Sequence, residues 1–276
     1  MTITQSQYSS SKLIFKALTK KKVSLDNFSP FAIKIDHTYC SDKTLEPFAS
    51  VFTNVDKIPT FAFVASFKTL LQCVVQAPIP SSLMGLIHLV CEVKTHAAHN
   101  WYLPYDIEVT LEEYEKSEKG ISYFLKTDFY QMGKKTITNR NVMLDKARGY
   151  KSKAGETPTK NELITLSEPL ASWATSLKTT WSYAKLSGDY NPIHLSPFLA
   201  KKLGFKNVIV HGMYNVHATL KEIAKCGEID TSFVKIEFNK PCFMPNQVFL
   251  RQYQDTDSYG LFSGDKKDRY LKLTLS

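Results

Sequence analysis

Cysteine is sparse in this chain, and its spacing carries no site. Cys40, Cys73, Cys91, Cys226 and Cys242 are odd in number and scattered, with no CxxC pair. That argues against a zinc site or a disulfide framework and points to a reducing, cytoplasmic setting. Cys73, Cys91 and Cys226 lie in apolar stretches and are expected to be buried as small hydrophobes. No apolar core follows the first basic residue, so no secretory leader is expected. Long hydrophobic runs are missing too: the most apolar region, Pro59 to Val93, is broken by Lys68, Pro78 and Pro80, so no membrane span is expected. RRM-like aromatic wording, zinc-finger spacing and basic heptads are absent, so nucleic acid is not an expected partner. Ser187 lacks the GxSxG frame of a nucleophile elbow. His96 and His99 have no carboxylate at ligand spacing, and neither a metal nor a cofactor is expected.

What the chain does have is core-forming material: 43% hydrophobic residues, with 17 Phe and 14 Tyr in 276 residues, enough for one large domain or two ordinary ones. The formal net charge of +9 suits an anionic ligand or an acidic partner surface as well as a generally solvated exterior.

Along the chain, Ser11 to Val23 is basic and reads as the lead-in to a first domain. From Phe61 to Gln76, Phe63, Val64, Phe67, Leu70, Leu71, Val74 and Val75 recur at three- and four-residue spacing, which predicts a largely buried helix ended by Pro78 and Pro80. Strands are predicted at Leu83–Val93, Asp106–Leu111, Ile121–Tyr130 and Lys135–Met143, with turns at Lys119-Gly120 and Met132-Gly133. Ala147 to Glu162 is polar, contains Gly149, Gly155 and Pro158, and reads as a linker. Beyond it the plan recurs: a helix over Met213–Cys226, then strands at Phe233–Phe238, Gln247–Tyr253 and Tyr270–Thr274. Helix then strands, twice, reads as a diverged internal duplication.

The stretch with the most chemistry runs from Tyr183 to Met213. It places Asp189 five residues before His194, with Asn191-Pro192 between them and Gly188 in front. Pro192 fixes its own φ and moves Asn191 out of helical geometry, so a rigid loop could aim both side chains at one point. A carboxylate and an imidazole so placed form an acid/base couple. The alternative is a turn-forming Asp189 and a His194 satisfied at a helix start. Ser196-Pro197 reads as an N-cap and first turn for a helix Phe198–Leu203.

The wording Tyr183-Ala184-Lys185-Leu186-Ser187-Gly188-Asp189-Tyr190-Asn191-Pro192-Ile193-His194, continued by Ala200, Gly204-Phe205 and Ile209-Val210-His211-Gly212-Met213, resembles the signature of the (R)-specific enoyl-CoA hydratases, the MaoC-like dehydratases of the hotdog superfamily. The family commonly has an Asp two residues after the histidine, where this chain has Ser196. The resemblance implies an α+β fold of two tandem hotdogs, each a long central helix wrapped by an antiparallel sheet. Residues 1–146 would be a non-catalytic hotdog with an acyl-chain groove, 147–162 the linker and 163–276 the catalytic hotdog. It further implies reversible syn hydration of trans-2-enoyl thioesters to (R)-3-hydroxyacyl thioesters in fatty-acid metabolism, carried by coenzyme A or an acyl-carrier protein. Asp189 and His194 would be catalytic, Asn191 would position them, and the N–H of Gly212 would face the thioester oxygen. Tyr183, Met213, Phe63 and Phe67 would contact substrate, with Phe61 also in the groove, and Lys201, Lys202 and Lys206 would lie near coenzyme phosphates. A homodimer of double hotdogs is a further expectation. A thioesterase and a non-catalytic acyl-CoA-binding hotdog are the competing readings on the same fold. His88, mid-strand and without an acid/base companion, is expected to be structural.

Overall fold

The computed structural model describes residues 13, 16, 24–26, 28–53, 55, 58–80, 86–147 and 165–276. The basic lead-in, apart from Leu13 and Lys16, and all but the first residue of the predicted linker lie outside these. In the first half, α1 (Asp42–Val51) precedes the central helix α2 (Phe61–Gln76). α2 starts and stops where the apolar spacing predicts, and it buries twelve of its sixteen residues. Five strands wrap it: β1 (Phe31–Thr38), β2 (Leu86–Thr95), β3 (Tyr105–Ser117), β4 (Gly120–Gln131) and β5 (Lys134–Lys146). β3 shows how the sheet covers the helix. Tyr105, Ile107, Val109 and Leu111 are buried, while Asp106, Glu108 and Thr110 between them are only half-buried, as the period of two requires.

The second half has β6 (Ala171–Thr175), α3 (Leu177–Ser187), a 3-10 turn (Pro192–His194) and α4 (Pro197–Lys202). Its central helix α5 (Gly212–Ile223) follows, then β7 (Phe233–Phe238), β8 (Asn246–Gln252), β9 (Ser258–Phe262) and β10 (Arg269–Leu275). All ten strands form one sheet in the order β1-β3-β4-β5-β2-β7-β10-β9-β8-β6. Counted from its own first strand, each half has the order first, third, fourth, fifth, second, so the two halves share one topology. They meet where β2 pairs antiparallel with β7, Val90 opposite Glu237 and Lys94 opposite Phe233. One cluster of buried apolar side chains runs through both halves.

The structure adds elements that the sequence reading lacks: β1, α1, β6, α3 and β9. It also corrects two assignments. Cys226 is exposed, because α5 ends at Ile223 and the cysteine sits in the turn beyond. Phe61 turns away from the groove, packing against Phe48 at 4.7 Å and Trp101 at 5.0 Å.

Candidate functional site

The loop is built by a succession of local caps. Ser176 and Thr179 close a capping box at the start of α3, and Gly188 ends that helix at φ 75°, a left-handed conformation that glycine adopts without penalty. Asp189 comes next. Its N–H donates to Ser187 Oγ at 3.2 Å, and its Oδ1 accepts from Asn191 N–H at 3.1 Å. Asn191 Oδ1 accepts in turn from Ile193 N–H at 3.3 Å, starting the 3-10 turn that ends at His194. Ser196 Oγ accepts from Leu199 N–H and Pro197 opens α4, the capping role read from the sequence. With its backbone groups committed locally, the loop has little freedom to move Asp189 relative to His194.

Each histidine of the site is oriented by a main-chain carbonyl. His194 Nδ1 lies 2.8 Å from Ile209 O. A carbonyl only accepts, so Nδ1 carries the proton and Nε2 keeps its lone pair. His211 Nε2 donates to the carbonyl of Asp189 at 3.0 Å and lies 4.0 Å from its Oδ2. The two imidazoles stack with centroids 4.0 Å apart. Burial, opposed by His194 and the Asn191 N–H, raises the pKa of the Asp189 carboxyl. Burial also lowers that of His194 against the pull of Asp189. His211 is held well below the ordinary imidazole value by burial first and by His194 second. Burial thus works against charge at all three groups, and a neutral imidazole is the state whose free nitrogen accepts a proton. One ligand atom from each of Asp189, His194 and His211 lies within 4.8 Å of the others, a spacing that could hold a metal ion.

The cluster opens on a cavity of ≈ 230 Å³ lined by residues of both halves. Asp189, Asn191, His194, His211, Gly212, Met213 and Tyr183 face it from the second half. Phe63, Phe67, Leu70 and Val74 face it from α2, one stripe at i, i+4, i+7 and i+11 that runs about 16 Å along the helix. Gly212 opens α5, where an N–H has no helical carbonyl to bond. Its lack of a side chain has a packing cause in the structure. A Cβ there would meet Phe238 Cε1 at 2.7 Å, so the glycine makes room for a packed ring. Lys201 and Lys202 are exposed on α4 and Lys206 is exposed beyond it; none lines the cavity.

Several lining residues escape the sequence reading of the site, four polar ones among them. His211 stands inside the quoted stretch, but its contact with Asp189 and His194 exists only in three dimensions. Lys240 reaches the cavity and pairs with Asp268 at 2.7 Å. Asn215, one turn into α5, also lines it. His88 does have the hydrogen-bonded role expected of it, with Nε2 3.0 Å from Asn141 Oδ1. It also lines the cavity, stacked on Phe63 at 5.2 Å and against Phe238 at 4.7 Å. Burial lowers its pKa to about 4.

Comparisons with known proteins agree with this architecture. Residues 151–260 match the family model of the MaoC like domain. The sequence is 26% identical over 216 residues to 3-hydroxyacyl-thioester dehydratase X of Mycobacterium tuberculosis, covering 78% of this chain and 76% of that protein. The crystal structure of HtdX from the same organism superposes with a TM-score of 0.74 at 20% identity, over 88% of this chain and 98% of that one. A conserved Mycobacterium tuberculosis protein with a double hotdog fold gives a TM-score of 0.55 at 9% identity, over 91% of this chain and 97% of that one. The fold is that of a double hotdog.

Proposed function

We propose that this chain, which carries a MaoC-like domain and is homologous to a 3-hydroxyacyl-thioester dehydratase, interconverts trans-2-enoyl and (R)-3-hydroxyacyl thioesters. The observation that carries the reading is the junction of an acid/base cluster with an apolar stripe in one cavity. A water held between the Asp189 carboxylate and His194 Nε2 would add its oxygen to C3 while a proton reaches C2 on the same face, so that H and OH enter together. His194 suits the acceptor role because its other nitrogen is committed to Ile209 O. As the water oxygen bonds to C3, charge builds on the thioester oxygen until C2 takes its proton, and the Gly212 N–H at the positive end of α5 is the proposed donor to that oxygen. Asn191 keeps the loop in shape, and Tyr183 and Met213 border the thioester.

The acyl chain is proposed to run along Phe63 and Phe67 of the first half, whose division from the second near 146 and 163 belongs to the same reading. Coenzyme A, with its phosphates toward Lys201 and Lys202, is the proposed carrier; a carrier protein would use the same mouth. Among the described residues no helix is long and apolar enough to cross a membrane.

The test is loss of the enoyl-thioester absorbance when purified protein meets crotonyl-CoA and then a longer enoyl-CoA, with free thiol titrated in parallel. Loss of the band without thiol is the expected result. Release of thiol would make the protein a thioesterase, and tight binding without turnover would make it a binding module.

A further inference from the structure

The first half brings no acid/base pair to the cluster, yet it reaches the cluster through a buried hydrogen-bond chain. At the start of α2 the carbonyl of Thr60 lies 3.4 Å from Nε2 of His217, which stands on α5. Across the same ring, Nδ1 lies 3.3 Å from the Tyr183 hydroxyl on α3. The carbonyl can only accept, so Nε2 carries the proton and Nδ1 is a lone pair. The Tyr183 O–H must then be the donor to it. All three groups are out of solvent, with Thr60 and His217 at 0% exposure and Tyr183 at 2%. Phe48 and Phe52 close on the His217 ring at 4.9 and 5.3 Å. Burial takes the pKa of His217 down to about 3, so the ring stays neutral and the donor direction does not reverse.

The far end of this chain touches the site. The Tyr183 ring lies against His211 at 5.1 Å. His211 is the group that donates to the Asp189 carbonyl and stacks on His194. A hydroxyl anchored at one end of the phenol therefore fixes where the ring presses on His211 at its other side.

We propose that His217 is a positioning residue and Tyr183 the arm through which it acts, so that the chain from Thr60 sets the placement of His211, Asp189 and His194. The first half then contributes to turnover and not only to acyl binding. The kinetic part of this inference rests on the hydratase reading above; the positional part does not.

Two substitutions separate a hydrogen-bonding role from mere filling of the core. His217→Gln supplies an amide N–H toward Thr60 and a carbonyl oxygen toward Tyr183. His217→Leu fills similar space and supplies neither. With the full chain and crotonyl-CoA, His217→Leu is expected to lower kcat at least about tenfold with KM nearly unchanged, the cost of a small misplacement at a reacting centre. His217→Gln should stay close to wild type. Tyr183→Phe, which removes one oxygen, should match the leucine variant, and the double variant should add little. In parallel, the ring proton and nitrogen resonances of His194 and His211 should shift in His217→Leu and not in His217→Gln.

Equal kcat in the Leu and Gln variants, or unshifted rings in His217→Leu, would overturn the proposal. Should the leucine variant not fold, Tyr183→Phe decides: unchanged kcat and unshifted rings would sink the idea. If wild type turns over no enoyl thioester, the hydratase reading fails, and the ring resonances alone judge the positional link.

Discussion

The two seam strands, β2 and β7, hold equivalent places in their halves but give the cavity different things. β2 breaks its register with β5 between His88 and Val90, and a bulge of that kind re-aims a side chain. The residue delivered is His88. Its partners consume its polarity: it meets Asn141 Oδ1, Asn141 donates to Asn139 Oδ1, and Asn139 donates to the Glu92 carbonyl. β7 instead delivers Phe238, packed on Gly212 and on His88. In the second half the polar groups are anchored at one atom each, His194 at Nδ1 and His211 at Nε2, both on main-chain carbonyls. His194 therefore keeps Nε2, and Asp189 a carboxylate oxygen, for the cavity. One topology thus holds both a closed polar network and an open one, and only the open one can act on a bound water.

The hardest test of that contrast is to remove the open groups. Asp189→Asn and His194→Ala are each expected to lower kcat by about 10²–10⁴ with the fold retained, the usual worth of a positioned acid or base. Asn141→Ala in the closed network should leave crotonyl-CoA turnover largely intact. Enoyl-thioester absorbance measures all three. Equal losses at Asn141 and Asp189 would erase the distinction.

Gly212 tests the seam. A Cβ at 2.7 Å from Phe238 Cε1 must displace either the ring or the start of α5, and a shift of that size at the reacting centre can cost about 10² in rate. Gly212→Ala should show such a loss, and adding Phe238→Leu should recover part of it. No recovery would place the clash elsewhere.

The two halves also answer acid alike, since each holds a neutral imidazole shielded from water: half-buried His88 with a pKa lowered to about 4 and buried His217 to about 3. Each folded value lies below the ordinary one near 6.5, so the stabilisation is complete above that pH. It is lost as the pH falls from 6.5 toward the folded value. At pH 5 the loss from His217 alone is about 2 kcal/mol, from 1.5 pH units at 1.36 kcal/mol each. Tm should fall between pH 6.5 and 5, and less steeply in His217→Gln. A parallel fall in wild type and variant would remove His217 as a cause.

Phe67→Leu probes the acyl stripe. It should lower kcat/KM about tenfold for a long enoyl thioester, as one lost packing contact in an apolar pocket does, and hardly change it for crotonyl-CoA. Equal effects on both substrates would detach α2 from the acyl chain.

Legibility in the sequence followed periodicity. α2 can be bounded because its apolar residues recur at helical spacing and prolines close it; β3 alternates, and recognisable turns flank β4. α3 cannot, because its surface is polar around most of its circumference and it buries only Thr180, Tyr183, Ala184 and Ser187. β9 is five residues long with Gly260 at its centre, a residue that weakens any strand pattern. The Asp189–His194 loop was readable because its caps and proline are local. Tyr183 on His217 and Phe238 on Gly212 are contacts between distant segments, and His211 shares a stretch with Asp189 but meets it only through the fold.

The smallest effect belongs to the surface. Lys201 and Lys202 follow the loop on α4 but are exposed, whereas Lys240 lines the cavity with only 18% of its side chain exposed and Asp268 beside it. Exposed charges interact with about 0.2–1 kcal/mol each, so Lys201→Glu with Lys202→Glu should raise KM for an acyl-CoA about two- to fivefold, and less at high salt. The same substrate without coenzyme phosphates, an acyl-pantetheine thioester, should not respond. If KM for the acyl-CoA is unchanged at low salt, the α4 lysines do not meet the coenzyme. Lys240 would then be the cation to substitute next, because it already borders the space that the thioester must enter.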